Sequence, residues 1–515
     1  MTKEILMAVR FKHAALFVTL MGSAAVTAHA QDGPTNLPAP EDIERGKQPT
    51  GGKSFLERKF NLSASEAQSR LDRQAEAEAL SVQLSEAYSD AFLGLEIQHE
   101  PTYKVVLSMA SDQFDSQVRK LIPANLRSFV QIRRSRFAIG EVETTRTSLI
   151  SVLGNSGYEL AFDYSRDRFI IRTPKDNIAK LRALVPPQFR ALVEFQEGDL
   201  TSTSQSNATA SDILYGGWSH YGNRGTNYYC TFSFTARDQS GNQGLLTAEH
   251  CQDSPSETRR NDENTGRKVI TFSNQSDSRY RRYAYESGAT NLRRTYDFRL
   301  IPATTVRSGP FIYYYNPRDG SYTQDVRDSS APSGWRPTTV SYSNYHSGLP
   351  ANDYLRVIGS LSSGTTTGVY NPGHPNGAVR CKSGRTTGIT CGIIVNSSYY
   401  GGYNDDGILV DGMVQVGRSD QRVISDGGDS GGAVFDAPRY DSASGYHQVQ
   451  AAGILHGSNK KAVNPVFPDR GERPCDNQTS DTDCWFVYMP LDRVNDFAPM
   501  TINVWQNGTS TFVAP

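Results

Sequence analysis

The sequence predicts an all-β domain that follows a smaller α+β unit, and three features of its 515 residues support that prediction. Gly, Ser, Thr, Asn and Tyr become frequent after about residue 200, which favours short strands joined by turns. All six cysteines lie after residue 229. Before that point, a stretch rich in Ala, Glu, Gln, Arg and Leu is followed by short apolar runs, as in a mixed α+β unit. At about 100 to 200 residues a domain, the chain has room for two or three units.

The first residues have the three zones of a secretion signal. Arg10 and Lys12 precede an apolar run, and a small-residue triplet ending at Ala30 supplies a cleavage site. We therefore predict a signal peptide over residues 1–30 and a secreted protein. The apolar run is too short for a stable membrane anchor, and no later segment reaches the ~18 uninterrupted apolar residues that an anchor needs.

Charge and cysteine content exclude several classes of partner. The 53 basic residues nearly balance the 54 acidic ones, so no strong field favours nucleic acid or an anionic membrane. Six cysteines behind a secretion signal favour disulfides over a metal, because exported proteins meet an oxidising environment. The sequence has no Cys-x-x-Cys motif and no histidine pair at helical ligand spacing. No metal and no cofactor are predicted, although the adjacent acids Asp405 and Asp406 leave open the alternative that the loop binds a calcium ion.

The α+β unit begins after a segment without periodicity. Residues 31 to about 60 are rich in Pro, Gly, Lys and Glu and are expected to be a mobile lead-in. Ser63 and Glu66 have the spacing of a capping box, which predicts a helix from there to about Phe92. Two strands and a second helix are predicted at Tyr103–Leu107, Phe169–Arg172 and Asp176–Val185. No catalytic constellation occurs in this unit.

A polar segment separates the two parts of the chain. Gly198–Asp212 is a run of Ser, Thr, Asn and Ala without an apolar pattern, so we expect an exposed linker that is open to cleavage. Short alternating runs then recur with turn signals between them, as in Tyr229–Phe234 and Phe311–Tyr315. This pattern predicts a β-barrel or a β-sandwich.

Two motifs in the second domain carry the chemistry. Ser430 lies in the stretch Gly427–Gly432, where glycines accept positive φ values and allow a substrate to approach closely. The backbone N–H groups of Gly428 and Ser430 are a candidate oxyanion hole. The upstream segment Thr247-Ala248-Glu249-His250-Cys251 offers the imidazole of His250 as a general base.

Together these motifs resemble the chymotrypsin-like serine peptidases, particularly the bacterial branch of streptogrisins and α-lytic endopeptidase. Glu249 replaces a glycine that is usual in that branch. The resemblance implies two six-stranded antiparallel β-barrels over residues 206–515. It also implies that residues 31–205, with their lead-in, α+β pro-domain and linker, form a pro-region that assists folding and inhibits the enzyme. Protein or peptide substrates and a monomeric enzyme are expected.

A serine hydroxyl needs an imidazole to take its proton and a carboxylate to orient that imidazole. In the chymotrypsin-like arrangement the chain order is His, Asp, Ser, which points to Asp297 in the strand-like segment Tyr296–Leu300. Asp262 and Asp353 are the alternatives. The predicted catalytic residues are therefore His250, Asp297 and Ser430.

The cysteines and one lysine extend the resemblance. Cys381–Gly388 is similar to a loop of the bacterial branch whose basic residue orders the oxyanion loop, which implies an ion pair between Lys382 and Asp429. Sequence proximity favours three local disulfides among the many possible pairings. These are Cys230 with Cys251, Cys381 with Cys391, and Cys475 with Cys484.

The predicted substrate pocket consists of Ile424, His456, Gly457 and Ser458. Ile424 stands where trypsin-like pockets carry an aspartate, so we expect cleavage after an uncharged aromatic or aliphatic residue, the P1 residue. His456 replaces a small serine that most relatives hydrogen-bond towards the catalytic aspartate. Together with Ser458, His456 leaves open the interpretation that the protein is a glutamate-selective endopeptidase.

Two other interpretations stay open beside a secreted serine endopeptidase made as a pre-pro-protein. An α/β-hydrolase esterase would use Gly428–Gly432 as a Gly-x-Ser-x-Gly elbow, but Ala433–Gln450 lacks the period of the helix that must follow. That interpretation also leaves the His250 motif unexplained. The third hypothesis is an inactive, peptidase-like binding protein.

Overall fold

The computed structural model describes most of the chain from residue 51 onward. The described residues are 51–154, 157–198, 201–202, 213–217, 219–223, 227–248, 251, 255–259, 268–271, 297–302, 307–315, 321–327, 335–341, 352–361, 371–384, 388–403, 409–417, 424–425, 429–444, 446–459, 461–462, 472–473, 485–497, 499–507 and 509–513. Among these residues, no helix combines the length and the apolar character needed to cross a bilayer.

The N-terminal unit is a mixture of helices and short strands. Its helices are α1 (Gly51–Phe60), α2 (Ala64–Ala87), α3 (Asp115–Leu121), α4 (Ile139–Leu153) and α5 (Lys175–Leu184), followed by a 3₁₀ helix over Pro187–Leu192. Its strands are β1 (Phe92–Gln98), β2 (Lys104–Met109), β3 (Val130–Arg134), β4 (Glu159–Asp163), β5 (Arg168–Thr173) and β6 (Val193–Glu197). The predicted strands and the second predicted helix therefore lie where β2, β5 and α5 are found.

The start of α2 follows from its capping residue. The Ser63 hydroxyl accepts a hydrogen bond of 3.2 Å from the backbone N–H of Glu66, which satisfies a donor that has no partner within the helix. The helix ends at Ala87, sooner than predicted, because the chain enters β1 at Phe92. The mobile lead-in was a wrong prediction for its last ten residues, which form α1. That helix is stabilised by burial of Phe55 and Leu56 in the core.

Two small sheets complete the N-terminal unit. In the first, β1 and β2 are antiparallel and β2 and β3 are parallel. In the second, β4 and β5 are antiparallel and β5 and β6 are parallel. Both sheets place their apolar side chains, among them Leu95, Ile97, Leu160 and Phe162, in one hydrophobic cluster.

Short strands dominate the middle of the chain, as its composition predicts. They are β7 (Thr201–Ser202), β8 (Ile213–Gly216), β9 (Ser219–Asn223), β10 (Asn227–Thr231), β11 (Thr235–Asp238), β12 (Gln243–Thr247), β13 (Pro255–Arg259), β14 (Lys268–Thr271), β15 (Arg299–Pro302), β16 (Arg307–Tyr315), β17 (Ser321–Arg327), β18 (Trp335–Ser341) and β19 (Asn352–Ser360).

The last part of the chain holds the longest strands. The elements there are β20 (Val379–Gly384), β21 (Gly388–Tyr403), β22 (Leu409–Gly417), β23 (Ala433–Phe435), β24 (Arg439–Asp441), β25 (Tyr446–Asn459), β26 (Lys461–Ala462), β27 (Glu472–Arg473), β28 (Trp485–Pro490), α6 (Leu491–Phe497), β29 (Met500–Gln506) and β30 (Thr509–Val513).

Six of these strands close a barrel. The order around it is β21, β20, β23, β25, β28 and β22, and β22 returns to β21. Every neighbouring pair in this ring is antiparallel. Closure leaves no free edge in the ring, and the strands are buried along most of their length. The C-terminal half therefore contains one six-stranded antiparallel barrel.

Other strands form open sheets in the described residues. One sheet has the order β15, β12, β11, β29 and β30, and another has the order β10, β9, β13 and β14. Since parts of the chain between these strands lie outside the described residues, the second six-stranded barrel stays a prediction.

The N-terminal unit packs directly on the closed barrel. Its apolar cluster includes Ile394, Tyr400 and Val414 of the barrel strands, so one core continues across both parts. At the junction the Ile97 N–H donates to the carbonyl of Asn376, at 2.6 Å. The next residue, Gly377, has φ +84° and lies so close to β1 that a Cβ there would overlap the carbonyl of Ile97. Only glycine permits this approach of the two backbones.

Candidate active site

The candidate nucleophile Ser430 lies on a tight turn that leads into β23. Gly431, the next residue, has φ +79°, and a Cβ at this position would overlap the side chain of Thr247 and the carbonyl of Thr231. A left-handed backbone and close packing on both sides therefore require glycine there. This is the physical reason for the glycine that follows the serine.

Backbone hydrogen bonds from two neighbouring strands hold the turn. The Thr231 N–H of β10 donates to the carbonyl of Ser430, at 2.7 Å. The Gly431 N–H donates to the carbonyl of Leu455 on β25, also at 2.7 Å, and the Leu455 N–H donates back to Gly432 at 2.9 Å. Ser430 is consequently fixed between the closed barrel and the sheets before it.

A chain of contacts joins Ser430 to Asp297. The Ser430 hydroxyl donates to the backbone carbonyl of His456, at 3.1 Å. The imidazole Nδ1 of the same histidine contacts Oδ2 of Asp297. The side chains of His456 and Asp297 are both 0% exposed. A single residue, His456, therefore contacts both the candidate nucleophile and the carboxylate that is predicted to orient the catalytic base, and these contacts are shielded from water.

Strand pairing explains how Asp297 reaches this place. It lies two residues before Arg299, the first residue of β15, and Arg299 stands opposite Thr247 of β12 in an antiparallel pair. Asp297 therefore precedes its strand at the end of the sheet where the chain leaves β12. The alternative Asp353 lies on β19, opposite Tyr314 of β16.

Lys382 and Asp429 meet in the interior behind the nucleophile turn. Their Nζ and Oδ2 atoms are 2.7 Å apart, and both side chains are 0% exposed. Lys382 also donates to the carbonyl of Gly388 at 3.1 Å, and the hydroxyl of Ser425 donates to Asp429 at 3.3 Å. These extra hydrogen bonds matter because a buried ion pair offsets its desolvation only when the remaining polar sites are satisfied.

The predicted pocket residues lie on two sides of the barrel. Gly457 and Ser458 are on β25, opposite Val487 and Phe486 of β28. Ile424 is fully buried, packs near Gly392 of β21, and its carbonyl accepts a hydrogen bond from the hydroxyl of Thr390. Ile424 thus belongs to the apolar core behind the site.

Part of the predicted linker forms a strand. Thr201 and Ser202, which make up β7, pair antiparallel with Asn459 and Ser458 of β25. These two residues of the predicted linker therefore form a strand, because the edge of β25 supplies backbone partners, while the exposure of the linker stays a prediction. Residues 203–212 lie outside the described residues.

Two of the three predicted disulfides are present. Cys230 and Cys251 are bonded with their Cα atoms 5.9 Å apart, and Cys381 and Cys391 with theirs 4.0 Å apart. Cys475 and Cys484 lie outside the described residues, as do His250, Gly428 and the alternative Asp262. Among the residues that the structure does describe, no three His, Cys, Asp or Glu side chains are grouped as metal ligands.

Two contributions to the site were missed by sequence reasoning. The hydrogen bond from the Ser425 hydroxyl to Asp429 could not be predicted from a motif, since a single serine at this distance from the nucleophile is common in any loop. The contact between His456 and Asp297 had one signal, namely the position of His456 where the resemblance described above implies a serine directed towards the aspartate. The identity of its partner atom needed the structure.

No family model and no curated protein matches the chain. It is similar to the solved structure of a Nocardiopsis protease, with 18% identity over 56% of this chain and 97% of that one and a TM-score of 0.30. It is also similar to protease A of Thermobifida fusca, with 18% identity over 57% and 100% of the two chains and a TM-score of 0.28. A Cellulomonas bogoriensis chymotrypsin has 15% identity over 56% and 98%, with a TM-score of 0.28.

Proposed function

We propose that the chain is a secreted serine endopeptidase, made with a signal peptide and a pro-region. The observation that supports this proposal is the buried path from Ser430 through His456 to Asp297, on a glycine turn whose shape only glycine allows. Thr247, the last residue of β12, stands opposite Arg299 of β15, and His250 comes three residues after Thr247 in the sequence. The proposed triad is His250, Asp297 and Ser430.

The proposed reaction proceeds through an acyl-enzyme. Ser430 Oγ attacks the scissile carbonyl carbon while His250 takes the hydroxyl proton, and the N–H groups of Gly428 and Ser430 stabilise the oxyanion. The C–N bond breaks as His250 gives its proton to the leaving amine. A water molecule, deprotonated by His250, then hydrolyses the ester and restores Ser430. Asp297 keeps the imidazole in the required tautomer and stabilises its cation.

The proposed P1 preference is an uncharged aromatic or aliphatic side chain. Ile424 brings no charge to the region where trypsin-like pockets carry an aspartate. Gly457, on the strand beside the site, has no side chain that would fill the pocket. The glutamate-selective alternative would need an imidazole facing the P1 side chain, whereas Nδ1 of His456 contacts Asp297.

The N-terminal unit is proposed to act as the pro-region. Strand β7, in the segment that follows this unit, pairs with Ser458 and Asn459, and in this proposal an extended substrate adds to the same edge of β25. Such an occupant excludes substrate and makes the uncut chain inhibited. The shared apolar core supports a second role in folding, since the barrel buries part of its surface only against this unit.

The test is labelling of the processed wild-type enzyme with a fluorophosphonate probe, with hydrolysis of a denatured protein mixture as the second readout. Ser430→Ala should abolish the adduct, and His250→Ala should reduce peptidase activity to the roughly thousandfold enhancement over water that the oxyanion hole and binding alone provide. Ser442→Ala, at an exposed serine of the same domain, is the matched control and should label normally.

Other outcomes point to the competing interpretations. No adduct in the wild type favours the binding protein, and an adduct with hydrolysis of esters but not of amides favours the esterase. The released peptides also report the P1 preference. Peptides that end mainly in Glu would support the glutamate-selective enzyme, and peptides that end in Arg or Lys would contradict the assignment of the pocket.

A further inference from the structure

A cavity of about 410 Å³ lies between α2 and the closed barrel. On the side of the helix it is lined by the buried side chains of Gln74 and Glu78, and on the side of the barrel by Asp436, Arg439 and Gln450. Glu78 belongs to the N-terminal unit, whereas Asp436 directly follows the barrel strand β23. Carboxylates from both parts of the chain therefore face one enclosed space.

One buried cation serves both acids. The side chain of Arg380, on β20, is 0% exposed and forms a 2.7 Å ion pair with Glu78. Its second terminal nitrogen donates to the carbonyl of Gly373 at 2.9 Å. The charge of Asp436 acts on the same guanidinium. Two carboxylates with one guanidinium between them leave an excess negative charge when both acids are ionised, and two like charges in a buried site disfavour the ionised form of one of them.

Asp436 is the acid with the weaker support. Its Oδ1 accepts from the N–H of Gln450 at 2.7 Å, while Arg439 stands 3.9 Å from Oδ2 with 43% of its side chain exposed, so water screens that ion pair. Burial is the largest cause of a pKa that is raised to about 6 in Asp436. The charge of Glu78 acts in the same direction, and Arg439, the Gln450 N–H and Arg380 act against it.

His374 and Tyr488 complete the surroundings of the guanidinium. Nδ1 of His374 lies 3.4 Å from a terminal nitrogen of Arg380 and 2.9 Å from the hydroxyl of Tyr488. Burial, and then the charge of Arg380, hold the pKa of His374 well below its usual range, and burial raises the pKa of Tyr488. Both shifts favour the neutral forms of these two groups. The proton that changes near pH 6 is therefore the one on Asp436.

We propose that docking of α2 on the barrel is linked to a proton on Asp436, so that the N-terminal unit is held more firmly in acid and loosens as the pH rises. When the helix leaves, water reaches Asp436 and the like charge of Glu78 is gone. The ionised carboxylate then becomes the partner of Arg380. Under the proposed function, this link makes release of the N-terminal unit easier in a neutral medium than in an acidic one.

The direction follows from proton linkage. The docked carboxyl of Asp436 has the higher pKa, so its contribution to docking is fully present below the pKa of the undocked carboxyl and is lost as the pH rises through about 6. An exposed aspartate has a pKa of about 3.9, which is roughly two units lower, and each unit corresponds to a factor of ten in the docking equilibrium. The expected change is therefore about tenfold to a hundredfold.

The test is hydrogen exchange measured by mass spectrometry on the uncut Ser430→Ala chain between pH 5 and pH 8. Two reporters are followed, namely the peptides of α2 and the peptide that contains Val379, whose N–H donates to the side chain of Gln74 at 2.6 Å. After correction for the intrinsic exchange rate, protection of both should fall about tenfold to a hundredfold, with a midpoint near pH 6.

Three variants of that chain assign the proton. Asp436→Asn keeps an oxygen that can accept from the Gln450 N–H but cannot ionise, so its protection should stay at the acidic level throughout. Glu78→Gln removes the like charge and should dock less well, with a shallower pH dependence. Asp72→Asn, at an exposed acid of α2, is the matched control and should keep the parental profile.

A flat profile in the Ser430→Ala parent overturns the proposal, as does a parental profile in Asp436→Asn. If Asp436→Asn fails to fold, Glu78→Gln decides, because a pH dependence as steep as that of the parent would exclude a proton shared through these acids. None of these measurements needs catalysis. They stand or fall separately from the fluorophosphonate test of the proposed function.

Discussion

Lys382 and Asp429 are opposite charges in a place that water does not reach. Taking two ions out of water is costly, and their attraction offsets that cost only with good geometry and further hydrogen bonds. Here the 2.7 Å contact is supplemented by the carbonyl of Gly388 and the hydroxyl of Ser425. Because Asp429 directly precedes Ser430, the pair is in a position to fix the backbone that presents the nucleophile.

Replacement of the lysine should disorder that backbone. Lys382→Met leaves Asp429 buried without its cation, a change that typically costs about 3 to 5 kcal/mol. If that free energy is lost from the active conformation of the turn, kcat/KM should fall at least a hundredfold. Lys382→Arg should be milder because it keeps the charge, although its fork has another shape. Peptidase kinetics and thermal unfolding of both variants measure the effect.

The control for this prediction is Arg439→Met, at an exposed basic residue of β24 in the same domain, which should leave both measurements nearly unchanged because exposed ion pairs contribute little. Full activity in Lys382→Met, combined with inactivation by a blocked or extended mature N-terminus, would show that the new terminus orders the loop instead.

At the residue scale, motifs indicated candidate groups, and the structure supplies the contacts of those that it describes. The catalytic roles of Ser430 and Asp297 stay predictions, while the ion pair of Lys382 with Asp429 could be predicted because a buried charge needs an opposite partner. The donor from Ser425 and the orientation of His456 could not, because they depend on a loop and on a bulge whose register is set by β28. His250 and Gly428 stay predictions.

At the scale of elements, α2 is attached to the barrel by two side chains one turn apart. The amide of Gln74 donates to the carbonyl of Val379 at 3.2 Å and accepts from its N–H at 2.6 Å, as a neighbouring strand would. Glu78 forms a 2.7 Å ion pair with Arg380, whose side chain is buried. Burial has the largest effect and acts to lower the pKa of Arg380, but the charge and hydrogen bond of Glu78, together with Tyr488 and Asp436, exceed it, and the net direction is upward.

Removal of the Glu78 charge should loosen α2 from β20. Glu78→Gln leaves Arg380 without its ion-pair partner and should destabilise the uncut Ser430→Ala chain by about 3 kcal/mol. The loss should be larger near pH 5 than near pH 8, because burial raises the pKa of Asp436, the other acid that acts on Arg380, to about 6. Thermal unfolding at both pH values measures it.

Glu86→Gln, at an exposed position of the same helix, provides the comparison and should unfold like the parent chain. A Glu78→Gln chain of parental stability at both pH values would show that the ion pair contributes nothing to docking.

Elements with strong local signals were predictable, and elements that depend on distant partners were not. The capped helix α2 and the strands β2 and β5 carry their own patterns. In contrast, α1 is stabilised by burial of Phe55 and Leu56 against other parts of the chain, and β7 exists only as a partner of β25. The sequence of α1 or of β7 alone shows neither the core against which α1 packs nor the strand with which β7 pairs.

At the scale of the whole molecule, the N-terminal unit and the closed barrel share one core. Apolar side chains of β1 and β4 pack with those of β21 and β22, and Tyr158 lies against Tyr400 with ring centres 6.1 Å apart. A domain that buries part of its core against another segment gains that free energy only while the segment is present. The barrel should therefore fold poorly by itself.

Refolding of residues 206–515 tests this dependence. Without the N-terminal unit we expect little active enzyme, and addition of residues 31–205 as a separate chain should raise the yield at least tenfold, consistent with roughly 1.4 kcal/mol or more of added stabilisation. The same unit with Gln74→Ala and Glu78→Gln should rescue less. A full yield of active enzyme without the unit would rule out its role in folding.

The pairing of β4 with β21 has a consequence for the fate of the released enzyme. Where β21 extends beyond the ring, Leu160 of β4 stands opposite Tyr400 and covers one side of the strand. Under the proposed processing, removal of the N-terminal unit would leave that stretch as an unprotected sheet edge, rich in tyrosine and glycine, and such edges recruit further strands. A second enzyme molecule is the nearest source of one. If the chain is processed and secreted as proposed, β4 protects this edge of β21 until the unit is removed, and release into a large volume then makes encounters between enzyme molecules rare.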